Sequence, residues 1–152
     1  MYFMFFLPNI KYILKQPMKP KIIELRVRYS ETDQMQYVHH SNYAKYFEIA
    51  RIEWLREAGI SYKEMEEQGI MLPVVNLLTE FKKPAKYDDV LTIKTSIKQI
   101  PTAKIIFTYE IYNQKGELLT TGESTLVFVD MKKNRPMKCP ENILDIILKQ
   151  KD

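Results

Sequence analysis

The spacing of apolar residues changes near residue 40, and this change constrains the fold more than any other feature of the chain. Before it, apolar and charged residues alternate from Ile23 to Tyr29, which predicts a half-buried β-strand. After it, apolar residues recur at steps of three and four, which predicts one long helix with a single buried face at Tyr43, Phe47, Ala50, Trp54 and Ala58. We expect Ser41 or Asn42 to cap this helix and Gly59 to end it.

Extended segments dominate the rest of the chain. A short helical stretch at 61–68 and a short amphipathic helix after Pro140 enclose four predicted strands, at 73–81, 91–97, 105–111 and 118–130. Because the turns between these strands are short, we expect the four to lie in sequence order as an antiparallel meander. The predicted fold class is therefore α+β, with a curved, mainly antiparallel five-stranded sheet wrapped around one long central helix.

A chain of 152 residues holds one domain with a full core and is too short for two ordinary ones. We predict that this domain spans residues 18–152. Residues 1–17 are then an extension that is unstructured or follows from a start codon assigned too early; a packed helix or an interfacial anchor is the alternative. The apolar run at its start ends at Pro8, which is too short to cross a bilayer, and no basic region typical of a signal peptide precedes it.

The residue types that the chain lacks exclude several kinds of site. Its four glycines fit neither of the glycine-rich phosphate-binding patterns, GxGxxG and GxxxxGK. A single cysteine, Cys139, allows neither an internal disulfide nor a zinc site built on cysteine pairs, and we expect it to be inert. The two histidines, His39 and His40, are adjacent, which excludes an HExxH metal site. We predict no metal and no bound cofactor, and the lone thiol favours a cytoplasmic location.

The motif SETDQMQYVHHSNYAKYFEIAR, at residues 30–51, joins the first predicted strand to the long helix. This segment resembles the 4-hydroxybenzoyl-CoA thioesterase-like (YbgC-type) family of hotdog-fold acyl-CoA thioesterases. The likeness covers about residues 22–148 and continues downstream in Leu72-Pro73-Val74, Pro84-Ala85, Tyr87-Asp88-Asp89, Phe128-Val129-Asp130 and Pro136. It implies a hotdog fold and an enzyme that hydrolyses an acyl-CoA to a free carboxylic acid and coenzyme A.

Asp33 and His40 are the residues of this motif that suit thioester hydrolysis, which needs a placed carboxylate, a donor for the developing oxyanion and an apolar groove. Asp33 lies on the loop that leads into the helix, where unpaired backbone N–H groups of residues 40–42 and the helix dipole favour an oxyanion. The resemblance implies a catalytic Asp33, acting as general base or as nucleophile; a turn residue is the alternative. His40 is predicted to orient the substrate or the base, or to protonate the leaving thiolate.

The predicted substrate-binding residues form an apolar set and a basic set. Val38, Asn42 and Tyr43 are expected to line the groove, and Tyr43 also begins the buried stripe of the helix. Two basic clusters flank strand ends and are candidates for holding the phosphates of coenzyme A, with a merely solvated surface as the alternative: Lys82, Lys83, Lys132, Lys133 and Arg135. Glu48 is either a rival base or part of a solvated helix face.

Two other functions stay open as alternatives. Basic residues at the groove mouth would serve an acidic acyl carrier protein as well as coenzyme A. A non-catalytic acyl-thioester-binding module is the second alternative, and Gln36 favours it. The family usually has a glycine or another small residue there, so we expect a different turn after Asp33 and different access for the acyl group.

The expected partners follow from charge and from the open sheet. The net charge of +4 is spread along the chain without a dense basic block, so we predict an acyl-CoA substrate and no nucleic-acid partner. No segment is long enough to predict a membrane span. A sheet with an unpaired edge predicts a homo-oligomer, either a symmetric dimer or a tetramer.

Overall fold

A five-stranded antiparallel sheet and one long helix make up most of the fold in the computed structural model, which describes residues 17–151. In chain order the elements are β1 (Lys21–Arg26), a 3₁₀ turn (Tyr29–Glu31), α1 (Ser41–Ala58), α2 (Tyr62–Glu67), β2 (Ile70–Met71), β3 (Val74–Phe81), β4 (Val90–Ile97), β5 (Lys104–Tyr112), β6 (Leu118–Val127), β7 (Val129–Asp130), β8 (Arg135–Pro136) and α3 (Glu141–Leu148). The predicted α+β class with an antiparallel sheet is confirmed. Of the predicted extension, residues 1–16 lie outside the described residues.

The strand order of the large sheet is β1–β4–β5–β6–β3, and every neighbouring pair is antiparallel. β4, β5 and β6 follow one another as predicted, but the prediction of a meander that also includes β3 is wrong. β3 pairs with β6 because β1 occupies the other edge of β4, with Ile23 opposite Ile93. Residues 82–89 therefore carry the chain across the end of the sheet, and this crossing brings them against the loop before α1.

α1 packs its apolar stripe on the large sheet. The buried residues of that stripe are Tyr43, Phe47, Ala50 and Trp54, as their spacing predicts. The Phe47 ring stacks on Tyr109 of β5, with ring centroids 4.4 Å apart. Gly122 of β6 lies against the same ring, and a Cβ atom at this position would be 2.4 Å from Phe47 Cζ. The helix can therefore approach the sheet this closely only because residue 122 has no side chain.

The two ends of α1 differ in how far the sequence predicts them. Gly59 ends the helix in the left-handed conformation (φ 94°), and its N–H donates to the carbonyls of Leu55 and Arg56, as predicted. At the start, the prediction that Ser41 or Asn42 caps the helix is wrong. Both residues lie inside the first turn, and neither side chain accepts a capping bond.

A second sheet, formed by β2, β7 and β8, has no counterpart in the sequence prediction. The last predicted strand, 118–130, breaks at the buried Phe128, and its final two residues pair with β2 and β8 instead of extending the large sheet. Pairings of two residues produce no periodic pattern, so alternation does not predict them. β1 also ends earlier than predicted, because Tyr29 lies in the 3₁₀ turn and is 78% exposed.

Candidate active site

A cavity of about 440 Å³ opens at the start of α1, between the loop that precedes this helix and the crossing that follows β3. Its lining residues are Asp33, Met35, Tyr37, Val38, His40, Tyr43, Phe81, Lys82, Lys83 and Pro84. Six of the residues predicted for the site therefore meet in one place: Asp33, Val38, His40, Tyr43, Lys82 and Lys83.

The loop 32–38 holds Asp33 over this cavity as a tight, hydrogen-bonded turn. Thr32 and Val38 face each other as an isolated antiparallel bridge. The Asp33 N–H donates to the Tyr37 carbonyl at 2.8 Å, and the Gln36 N–H donates to the Asp33 carbonyl at 2.9 Å. These bonds leave the Asp33 side chain at a fixed position on the loop.

The two oxygens of the Asp33 carboxylate have different surroundings. Oδ1 accepts the backbone N–H of Met35 at 2.9 Å and that of Tyr37 at 3.3 Å. Oδ2 has no hydrogen-bond partner among residues 17–151. One oxygen therefore orders the loop, as a turn residue does, while the other has no partner in the described residues, and Asp33 itself is one of the residues that line the cavity.

Gln36 adopts the left-handed conformation, with φ 65°. This is the conformation that glycine reaches without steric cost, so the turn is one that the usual small residue of the family would also form. The Gln36 side chain is exposed and is not among the residues that line the cavity. The Gln36 side chain therefore forms no part of the cavity wall.

Replacing Gln36 by glycine tests this description of the turn. A non-glycine residue in the left-handed conformation costs about 1–2 kcal/mol of folding free energy. Glycine removes this cost, but it also gives the unfolded chain more freedom, which offsets roughly 0.5–1 kcal/mol of the improvement. We expect Gln36→Gly to keep or slightly raise the melting temperature. A clearly lower melting temperature would contradict this description, because it would mean that the Gln36 side chain contributes contacts to the folded loop.

The first turn of α1 exposes fewer backbone donors than the sequence predicts. The hydroxyl and backbone N–H of Ser41 both point to His39 Nδ1, at 2.8 and 3.3 Å. The N–H of Asn42 donates to the His39 carbonyl at 3.0 Å, and that of Tyr43 donates to the His40 carbonyl at 3.3 Å. In the described part of the chain, the His40 N–H alone among residues 40–42 makes no such bond, so it is the candidate donor at the positive end of the helix dipole.

Aromatic rings form one wall of the cavity. Tyr43 of α1 meets Phe81 at the end of β3 edge to face, with ring centroids 5.1 Å apart. Burial raises the pKa of the Tyr43 phenol, so this residue stays neutral at physiological pH. The wall is therefore uncharged and apolar over most of its area.

Two lysines also line the cavity and form its charged rim, and each already has a carboxylate neighbour. Lys82 Nζ lies 3.8 Å from Glu80, and Lys83 Nζ lies 3.2 Å from Glu117. A hydrogen bond from Asn113 and the nearby Lys83 lower the pKa of Glu117, which keeps it charged. The rim therefore carries partly compensated positive charge.

The other predicted residues lie elsewhere. Lys132, Lys133 and Arg135 belong to the turn between β7 and β8 or to β8 itself, in the second sheet, and do not line the cavity. Glu48 is exposed on α1 and pairs with Arg51 at 3.5 Å. Cys139 is buried, and burial raises the pKa of its thiol to about 12, which agrees with an inert side chain.

Asn42 is buried and is absent from the cavity lining. Its amide instead donates to two backbone carbonyls, those of Glu31 and His39. The structure therefore does not place Asn42 in the groove that the sequence predicts it to line, because its amide is bonded within the protein itself.

Residues 17–151 contain neither a cluster of metal-binding side chains nor a helix that could span a membrane. No group of three or more His, Cys, Asp or Glu side chains in this range could hold a metal ion. No helix in the same range is both long and apolar enough to cross a membrane.

A family model described as the thioesterase-like superfamily matches residues 27–147. This chain belongs to that superfamily. The match begins directly after β1 and includes every residue that lines the cavity.

Individual thioesterase-like proteins resemble the chain over most of their length. YneP of Bacillus subtilis is 36% identical over 115 residues, which is 76% of this chain and 83% of YneP. The acyl-CoA thioester hydrolase YbgC of Escherichia coli is 32% identical over 79% of this chain and 90% of its own. The solved structure of a DHNA-CoA thioesterase from Staphylococcus aureus is 38% identical, covers 78% of this chain and 80% of its own, and superposes with a TM-score of 0.75.

Four lining residues of this thioesterase-like chain escape the sequence prediction: Met35, Tyr37, Phe81 and Pro84. Phe81 directly precedes the two predicted lysines, and Tyr37 lies between Gln36 and Val38, so proximity along the chain is a usable signal for both. The signal is insufficient because the crossing at 82–89 meets the loop only once β3 has paired with β6.

Proposed function

We propose that the chain is an acyl-CoA thioesterase, which hydrolyses the thioester of an acyl-CoA to the free carboxylic acid and coenzyme A. The enzyme is a thioester hydrolase by its superfamily and by the names of its relatives, YbgC among them. One observation carries the proposal for this site. Asp33 Oδ2 and the His40 N–H, both without partners in the described residues, belong to residues that line the same cavity.

In the proposed reaction, the His40 N–H donates to the thioester oxygen as negative charge develops on it. Asp33 then acts in one of two ways. As general base it takes a proton from water while the water oxygen bonds to the carbonyl carbon and the carbon–sulfur bond breaks. As nucleophile it forms a mixed anhydride that water then hydrolyses. On either route the coenzyme A thiolate leaves, and the His40 imidazole is the group available to protonate it.

The substrate-binding part of the proposal uses both walls of the cavity. Val38, Tyr43 and Phe81 would contact the acyl group, and Lys82 and Lys83 would pair with phosphates of coenzyme A in place of their glutamate neighbours. Lys132 and Arg135 do not line the cavity, so they have no part in this proposal. Asn42 has no part in substrate binding here, because its amide is already bonded.

We also propose a homo-oligomer, a dimer or a tetramer, formed through β3. This strand is an edge of the large sheet. It exposes a row of apolar residues to solvent: Val74, Val75, Leu77, Leu78 and Phe81. An exposed apolar edge strand pairs readily with another strand, and Phe81 links this edge to the cavity.

Leu78→Lys tests the edge pairing. The side chain is 54% exposed in the single chain, so the substitution leaves the fold of one subunit intact but puts a charge on the edge. We expect a lower molar mass by light scattering and reduced thioesterase activity. Ile22→Lys is the matched control, since Ile22 is 55% exposed on β1 at the opposite edge. An unchanged mass for Leu78→Lys would overturn the proposed interface.

The proposal also covers the fold, the bounds of the domain and the location of the protein. The single domain over residues 18–152 is a hotdog fold with the large sheet wrapped around α1, which the stack of Phe47 on Tyr109 supports. Met18 supports the domain start, since it is buried and its N–H donates to the Ile97 carbonyl at 2.8 Å. A cytoplasmic location is supported by the single free cysteine.

Thiol release from a panel of aliphatic and aromatic acyl-CoAs tests the proposed function. The same acyl groups on acyl carrier protein form the second arm. Because the Cys139 thiol is buried, the folded protein contributes little background to a thiol reagent. We expect faster turnover of acyl-CoA. Turnover of the carrier-protein thioesters alone would mean that the substrate is an acyl carrier protein thioester and not an acyl-CoA. Binding without thiol release in both arms would contradict the proposal that the protein is an enzyme.

A further inference from the structure

Asn42 lies at the junction between the loop 32–38 and the first turn of α1. Its Nδ2 donates to the Glu31 carbonyl at 2.9 Å and to the His39 carbonyl at 3.3 Å. The His39 N–H also donates to the Glu31 carbonyl, at 2.8 Å. Because Glu31 and His39 flank the loop that carries Asp33, these three bonds close the loop at its base.

Glu31 is itself held firmly. Its side chain is buried, Oε1 accepts the Arg28 N–H at 2.7 Å, and Oε2 accepts the Arg28 guanidinium at 3.2 Å. Burial would raise the pKa of Glu31, but the hydrogen bonds from Arg28 outweigh it and lower the pKa below its usual value. Glu31 therefore stays charged and bonded, and it gives Asn42 a fixed carbonyl to bind.

We propose that Asn42 is a positioning residue, which holds the loop 32–38 against α1 so that Asp33 and His40 face the same cavity. This proposal rests on the proposed function. Asn42 does not line the cavity, so it acts through the loop and not through contact with substrate. Without its amide, the carbonyls of Glu31 and His39 each lose one of their donors and the loop can shift. A displacement of about 1 Å at a catalytic group costs roughly a hundredfold in rate.

A double-mutant cycle between Asn42→Ala and Asp33→Asn separates positioning from a merely structural role. We expect Asn42→Ala to lower kcat by about 10- to 100-fold with KM changed less than about threefold. In the Asp33→Asn background the same substitution should lower kcat by less than about threefold, because the group that it positions is already absent. Ser61→Ala, which removes the N-cap of α2 outside the site, is the control for lost stability without lost kcat.

The other outcomes are distinguishable. The same fold-loss in both backgrounds, or an unchanged kcat for Asn42→Ala, would overturn the positioning role and leave the proposed function standing. An Asp33→Asn variant with wild-type activity would overturn both. Should Asn42→Ala fail to fold, Asn42→Ser keeps one donor, and its loss of kcat should again be smaller in the Asp33→Asn background; an equal loss would overturn the role.

Discussion

Asp33→Asn is expected to lower kcat for acyl-CoA hydrolysis by about a hundredfold or more while leaving the fold unchanged. The amide oxygen of asparagine can accept the same two N–H groups, those of Met35 and Tyr37, that Oδ1 accepts now. The amide cannot take a proton from water or attack a carbonyl carbon. The variant therefore keeps the loop conformation but lacks the group that activates water or attacks the thioester. Steady-state thiol release measures the first effect, and the melting temperature measures the second.

Glu48→Gln is the matched control for this result. Glu48 is the other carboxylate that the sequence suggests as a base, but it is exposed, pairs with Arg51 and lies outside the cavity. We expect its replacement to leave kcat unchanged. Wild-type activity in Asp33→Asn, or an equally large loss in Glu48→Gln, would contradict the assignment of the base or nucleophile to Asp33.

Gly122→Ala is expected to lower the stability of the fold, because the close approach of α1 to the sheet leaves no room for a side chain at residue 122. The added Cβ would lie 2.4 Å from Cζ and 2.6 Å from Cε2 of Phe47. The Phe47 ring has little room to retreat, because its own helix lies behind it and Tyr109 is stacked against it. Overpacking of this kind costs about 1–3 kcal/mol, which lowers the melting temperature of a chain of this size by roughly 2–4 °C per kcal/mol.

Phe47→Leu provides the control for Gly122→Ala. Leucine removes the ring atoms that the new Cβ would meet, so the double variant should be more stable than the sum of the two single losses predicts. Thermal or urea unfolding of the four proteins gives this coupling directly. Additive losses would show that the alanine acts on something other than the Phe47 ring.

The long helix is the element that the sequence predicts best. Its stripe from Tyr43 to Trp54 and its end at Gly59 follow from spacing and from one glycine, and both depend on contacts that are local or repeat along the element. The position of β3 could not be predicted in the same way. It depends on which edge of β4 is already filled by β1, and no local pattern carries that information.

The candidate site, like the fold, is predicted by the sequence only in part. Asp33 and His40 follow from the motif before α1, and both line the cavity. The His40 N–H, which has no partner within residues 17–151, and the bonded Asn42 amide could not be predicted, because they depend on how the carbonyls of Glu31 and His39 are oriented in the closed loop. Sequence spacing indicates which residues approach the helix start, whereas the hydrogen-bond pattern decides which of them is available for chemistry.

The most direct measurement is a crystal structure with an acyl-CoA analogue whose thioester sulfur is replaced by a methylene group, so that it cannot be hydrolysed. We expect its carbonyl oxygen to lie about 3 Å from the His40 backbone nitrogen, with the Asp33 carboxylate beside the carbonyl carbon. The acyl group should contact Tyr43 and Phe81. An analogue bound elsewhere, for instance on the outer face of the large sheet near Lys94, with Asp33 facing only solvent, would contradict the proposed site.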